Sequence, residues 1–182
     1  MPLVTEPVFR WTAERQLVAE LYSEIRKGVY QYLLTLGLDA DRAQEFTQEA
    51  FLRLFHKLRD GSVIENPRAW IYRVAHNMAV DSAVSQARES EISDALMSTL
   101  ASSGQDAEQA LIEREWLEGF RNAVQGLSQQ QRRCLELRAQ GLRYREIAEV
   151  LRVGTPTVGE FLRRAAKHLR DWKHLRDWKN GK

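Results

Sequence analysis

The sequence predicts an all-α protein, with two small helical domains joined by a flexible acidic linker and a helix-turn-helix in the second. Three observations predict it. Apolar residues recur at i, i+3, i+4 and i+7 in successive segments, and none sustains the alternation of a strand. Residues 85–110, SQARESEISDALMSTLASSGQDAEQA, are aromatic-free and rich in Ser, Ala, Asp, Glu and Gln, which is linker composition. Charge divides along the same lines: −1 over residues 1–84, −5 over 85–126 and +8 over 127–182. The expected domains are therefore 1–84 and 111–182.

The first helix is expected to start at a Thr12 cap and end near Gly37, with Leu17, Leu21, Ile25, Val29, Tyr32 and Leu33 along one stripe. Asp39 or Asp41 opens a second helix to about Arg59, with Ala43, Phe46, Ala50, Phe51, Leu54, Phe55 and Leu58 inward and Asp60-Gly61-Ser62 as its stop. Asn66-Pro67 is a cap followed by a first-position proline, and opens a third helix through Trp70, Ile71, Val74, Ala75 and Met78. Within the linker, Ile92–Leu100 has the pattern of a marginal helix. The second domain begins with Leu111–Gly126, followed by a Ser128-capped helix through Cys134, Leu135 and Leu137 to Gly141.

Arg143–Lys167 then reads as two helices across a turn. Tyr144, Ile147, Ala148 and Leu151 share a face of the first. Thr155 is placed to cap the second and Pro156 to start it, with Val158, Phe161, Leu162 and Ala165 inward and a basic opposite face. An ordinary αα-hairpin has the same outline. The basic second helix favours the DNA-binding form, whose second helix enters the major groove. The chain ends in a direct repeat, KHLRDW at Lys167–Trp172 and at Lys173–Trp178, read as a short duplication that lengthens the last helix, with Trp178 available to a partner.

Several function classes are excluded. One cysteine, Cys134, permits neither an internal disulfide nor a cysteine zinc site, and its helical setting suits a small buried residue. No apolar run approaches the roughly 18 residues of a membrane span, and MPLVTEPVFRW lacks the form of a signal peptide. A cytoplasmic protein without a membrane partner is expected. There is no P-loop, glycine-rich dinucleotide turn or nucleophile elbow, and His56, His76, His168 and His174 have no ligand spacing. Asp41, Glu45 and Glu49 line one helix face, but the Glu-x-x-His partner of a di-iron bundle is missing. No catalytic residue, metal or cofactor is expected, and the chain is read as a non-enzyme.

Three stretches carry the functional signal. In the second helix Gln48, Glu49, Leu52 and Arg53 lie off the apolar stripe, and an exposed Leu among charges suits a protein partner. Asn66–Asp81 mixes Arg68, Trp70, Tyr72, Arg73, His76 and Asn77, types that stack on and hydrogen-bond to single-stranded bases, although core packing of Trp70 and Tyr72 is the plainer reading. In the recognition helix Thr157, Gly159, Glu160 and Arg163 are nearest the base-facing end, after Thr155, with Arg164 and Lys167 placed for phosphates.

Together these stretches resemble the extracytoplasmic-function (ECF) sigma factors of bacterial RNA polymerase. Asp41–Phe55 is similar to the family's D-A-E-D-L-V-Q-E-V-F-L-R-L-W run. Pro67–Asn77 matches P-R-A-W-L-Y-R-I-A-x-N almost residue for residue, with Asp81 beyond. Leu127-Ser128, Gln131-Arg132, Leu135, Leu137-Arg138, Gly141–Tyr144 and Glu146–Glu149 resemble the second domain's L-P-x-x-Q-R-x-V-L-x-L-R and G-L-S-Y-x-E-I-A-E. The resemblance implies that Gln48, Glu49, Leu52 and Arg53 bind the clamp helices of the polymerase's largest subunit. It implies that Asn66, Arg68, Arg73, Asn77 and Asp81 hold the melted −10 strand. The second domain would sit on the polymerase flap and read the −35 element through Thr155, Thr157, Gly159, Glu160, Arg163, Arg164 and Lys167. An anti-sigma factor clamping the two domains is a further partner the family suggests. A stand-alone helix-turn-helix regulator using only residues 111–182 is the alternative.

Two departures stand out. The family's T-V-K-S-R-L-x-R-A is Thr157-Val158-Gly159-Glu160-Phe161-Leu162-Arg163-Arg164-Ala165 here, so Gly-Glu-Phe replaces Lys-Ser-Arg. A glutamate there weakens phosphate attraction and accepts from a cytosine amino group. Arg152 stands where a glycine often makes the turn.

Overall fold

Seven α-helices and no strand make up the described residues, 6–86 and 107–179, of the computed structural model. The expected Ile92–Leu100 helix and most of the linker lie outside those residues. The chain divides into two compact units, largely on either side of the linker.

The first unit is a three-helix bundle of α1 (Glu6–Thr35), α2 (Ala40–Arg59) and α3 (Pro67–Gln86), each packed on the other two. Thr12 does not cap α1 but lies inside it. Pro7 falls in the first turn, where it is tolerated, and nothing between it and Thr12 breaks a helix. Ile25, Val29, Tyr32 and Leu33 form the buried stripe, whereas Leu17 is 38% exposed because it lies ahead of the stripe's packed portion. Asp39 caps α2, accepting from the Arg42 N–H at 2.8 Å. Ala43, Ala50, Phe51 and Leu54 are buried, together with Thr47, whose hydroxyl donates to the Ala43 carbonyl at 2.7 Å and so enters the core satisfied.

The Asn66 side chain accepts from the Ala69 N–H at 3.0 Å and caps α3 as its Asn-Pro pair predicts. Ile71, Tyr72, Ala75, His76 and Ala79 face the bundle interior. Three cross-helix bonds tie it together. Tyr32 Oη meets His76 Nδ1 at 2.9 Å. Arg68 donates to Glu24 at 2.8 Å, and Arg42 to the Ser82 hydroxyl at 2.8 Å. Tyr22 packs edge-on to Phe51, ring centres 5.0 Å apart.

The second unit comprises α4 (Ala107–Gln125), α5 (Gln129–Ala139), α6 (Tyr144–Leu151) and α7 (Thr155–Lys179), with α7 packed on α4 and α5. Ser128 caps α5 as expected, and Gln131 completes a reciprocal capping box with it. Leu127, Cys134, Leu137, Leu142, Ile147, Ala148, Val158, Leu162 and Ala165 fill the core. Tyr144 departs from expectation: it is 44% exposed, with the Arg138 guanidinium 5.8 Å from its ring centre, and Val150 is buried instead.

The first copy of the KHLRDW repeat is structural. Trp172 meets Trp116 and Phe120 of α4 edge-on, at centroid distances of 6.4 and 5.9 Å. Gly119 makes room for it, since a Cβ there would come within 3.1 Å of the Trp172 ring. His168 Nε2 donates to the Ala123 carbonyl at 3.0 Å. The Trp178 side chain lies outside the described residues.

Candidate functional site

Three surfaces collect the candidate residues. The first is an open groove of about 620 Å³ between α2 and the C-terminal half of α3. Its lining includes Gln48, Glu49, Leu52 and Arg53, which the helical period leaves off the buried stripe of α2. Leu52 is 53% exposed in the middle of this polar rim. Arg53 Nε donates to Glu49 Oε1 at 2.6 Å, one turn away, so the pair presents a fixed polar edge beside an uncovered apolar side chain. Asp81 and Met78 close the groove from α3.

The second surface is the outward face of α3. Trp70, Arg73, Asn77 and Asp81 follow one another at i, i+3 and i+4 spacing on the side opposite Tyr72 and Ala75, and none of the four is buried. Asn66 stands at the head of this face with its side chain engaged as a cap. It is about 22 Å from Asp81 along the helix at a 1.5 Å rise per residue. Arg68 is not part of the face: its guanidinium is turned to Glu24 of α1. Tyr72 is buried, and burial pushes its hydroxyl well above the ordinary tyrosine range, so it serves the core and not a base stack. Ahead of the face, Val63 is 93% exposed in the loop between α2 and α3. A lone Val between turn residues has no periodic signal, so nothing in the sequence pattern marks its exposure.

The third surface is a ridge on α7. Thr157, Glu160, Arg163, Arg164 and Lys167 line up opposite Val158, Leu162 and Ala165. Gly154, not Thr155, holds the cap position, since its carbonyl accepts from the Val158 N–H at 3.1 Å; Thr155 and Pro156 are the first two helical residues. Both fit there, because the first-turn N–H groups have no intrahelical partner in any case. Gly159 lies off the ridge, beside Tyr144, where a Cβ would make ordinary contact at 3.9 Å. Glu160 binds both neighbouring arginines: Arg163 donates twice at 2.8 Å and Arg164 Nε once at 2.6 Å. These hydrogen bonds, Arg163's foremost, hold its carboxyl down at about 2. Before the ridge, the turn closes with Arg152 at φ 54°, ψ 45°, the left-handed region usually given to glycine.

Comparison with known proteins identifies these surfaces' setting. The family model for Sigma-70 region 2 matches residues 21–89, and that for Sigma-70 region 4 matches residues 117–169. The ECF RNA polymerase sigma factor SigK of Mycobacterium ulcerans is 30% identical over 165 residues, covering 87% of this chain and 86% of SigK. SigM of Bacillus subtilis, also an ECF RNA polymerase sigma factor, is 26% identical over 157 residues, 84% of this chain and 93% of SigM. The fold is shared with the sigma factor RpoE of Bartonella quintana, solved with the anti-sigma factor NepR, at a TM-score of 0.63 and 18% identity over 88% of this chain and 96% of RpoE. It is shared also with CnrH, solved with the cytosolic domain of CnrY, at 0.55 and 18% over 93% and 95%. Both region models fall on the chain in order, and a SigK relationship spans both of them: the protein belongs to the ECF RNA polymerase sigma factors.

Proposed function

We propose that this sigma factor, which binds core RNA polymerase and directs promoter-specific initiation, divides that work among the three surfaces. The groove of Gln48, Glu49, Leu52 and Arg53 grips the clamp helices of the polymerase's largest subunit. The observation that carries this reading is Leu52, a large apolar side chain left uncovered at the centre of a charged rim, as an interface core surrounded by a polar border requires. Arg73 and Asn77, with the loop before α3, hold the melted −10 strand, where Trp70 offers a stacking surface. Arg68 supports that surface from behind through Glu24. Residues 111–182 rest on the flap and present the α7 ridge to the −35 duplex.

On this reading the chain acts in the cytoplasm, performs no chemistry itself and leaves catalysis to the polymerase. Of the proteins that share the fold, RpoE was solved with an anti-sigma factor and CnrH with the cytosolic domain of CnrY. That supports an anti-sigma factor as a partner of this chain too. The stand-alone regulator reading leaves the groove and the α3 face without a role.

The assignment is tested by the double variant Arg73→Ala, Asn77→Ala. It is expected to bind core polymerase like the parent and to fail at promoter melting, measured by permanganate reactivity of the −10 thymines. Normal melting would refute it.

A further inference from the structure

The ridge on α7 carries its own counter-ion. Arg163, Arg164 and Lys167 give it three cations, yet both arginines are committed to one carboxylate. Glu160 accepts three charge-assisted hydrogen bonds, at 2.8, 2.8 and 2.6 Å, from guanidiniums one turn further along the same face. All three side chains border solvent, so the arrangement is not a means of satisfying buried groups. Its contribution to fold stability is small, as for exposed pairs generally. What it changes is the face presented to DNA. A guanidinium held by a carboxylate releases fewer counterions on meeting a phosphate, and the carboxylate itself repels the backbone.

We infer that Glu160 is a specificity-determining and positioning residue, an internal clamp that holds Arg163 and Arg164 away from arbitrary phosphates and yields only where a base edge replaces it. The exchange is chemically balanced. A cytosine amino group in the major groove donates to the Glu160 carboxylate. The arginines, relieved of one shared acceptor, turn to the adjoining phosphates or to guanine O6 and N7. Where the edge in reach is guanine or thymine, which present no donor in the major groove, the carboxylate finds no partner and the arginines remain tied. The clamp lowers affinity for DNA at large and raises the contrast between right and wrong sites. This inference rests on the reading of α7 as the −35 helix.

The test uses the full chain in four forms: parent, Glu160→Gln, Glu160→Ala and Arg163→Ala. Binding to a random-sequence duplex is followed by fluorescence anisotropy across a salt series. Run-off transcription with core polymerase is measured on templates carrying each base in turn across the −35 element. Both Glu160 variants are expected to bind the random duplex more tightly. Their advantage is expected to grow about threefold per freed guanidinium between roughly 200 and 50 mM salt. They should also lose most of the preference for one base at one −35 position. If the Glu160 variants match the parent in salt slope and base preference while Arg163→Ala weakens binding, the clamp is refuted and the DNA-facing helix stands. If Arg163→Ala changes nothing either, α7 does not face DNA and both readings fall.

Discussion

Replacing Leu52 by Ala separates folding from partner binding. Full burial of a leucine is worth about 1.5–3 kcal/mol. Leu52 is 53% exposed, so the free protein has realised only about half of that. Truncation is therefore expected to cost the fold about 1 kcal/mol or less, well under the 2–5 kcal/mol of a buried Leu→Ala change. The other half becomes available when the clamp helices cover the groove. Losing it, together with the gap left between two packed surfaces, weakens core binding by about 1–1.5 kcal/mol, roughly tenfold in Kd. The assay is competition between labelled parent and variant for limiting core polymerase, with urea unfolding of both run alongside. An unchanged Kd beside an intact fold refutes the groove as the docking site. A large fall in stability would instead show that Leu52 belongs to the core.

Arg152→Gly is expected to stabilise the second unit by about 1 kcal/mol, because a left-handed residue with a Cβ costs roughly 1–2 kcal/mol and part of that returns as glycine entropy. A denaturant midpoint that stays or falls would mean the arginine makes a compensating contact. Burial pushes the Cys134 thiol up from its ordinary 9.0 to about 11. The folded state thus holds the proton more tightly than the unfolded chain, and the associated stability, complete below pH 9, is lost as pH rises towards 11. Cys134→Ala should flatten that decline, and native protein should resist thiol reagents at neutral pH until urea is added.

Much of this fold was legible because its signals are local. Asp39, Ser128, and Asn66 with Pro67 mark helix starts through hydrogen bonds that span three residues, and each is made as the spacing implies. The groove residues were legible for the related reason that one helix period decides which side chains leave the core. What escaped depends on contacts distant in sequence. Trp172 looked like one half of an incidental repeat until α4 supplied Trp116, Phe120 and the gap at Gly119. Tyr144 satisfied the apolar period but is drawn outward to the seam between Arg138 and Gly159. Thr12 and Thr155 are good caps by type, yet a cap forms only where the helix stops, and neither helix stops there. The Glu160 clamp falls between these cases: its i+3 and i+4 spacing was visible, but not that one carboxylate takes both arginines.

If the two units serve one polymerase-dependent act, multi-round transcription on DNA templates requires both of them. Purified protein mixed with core polymerase is expected to initiate from a defined subset of promoters that core alone ignores, and only when both units are present in one chain. Failure to associate with core polymerase, or tight operator-like duplex binding by the protein without it, would show that the units do not act together on the polymerase.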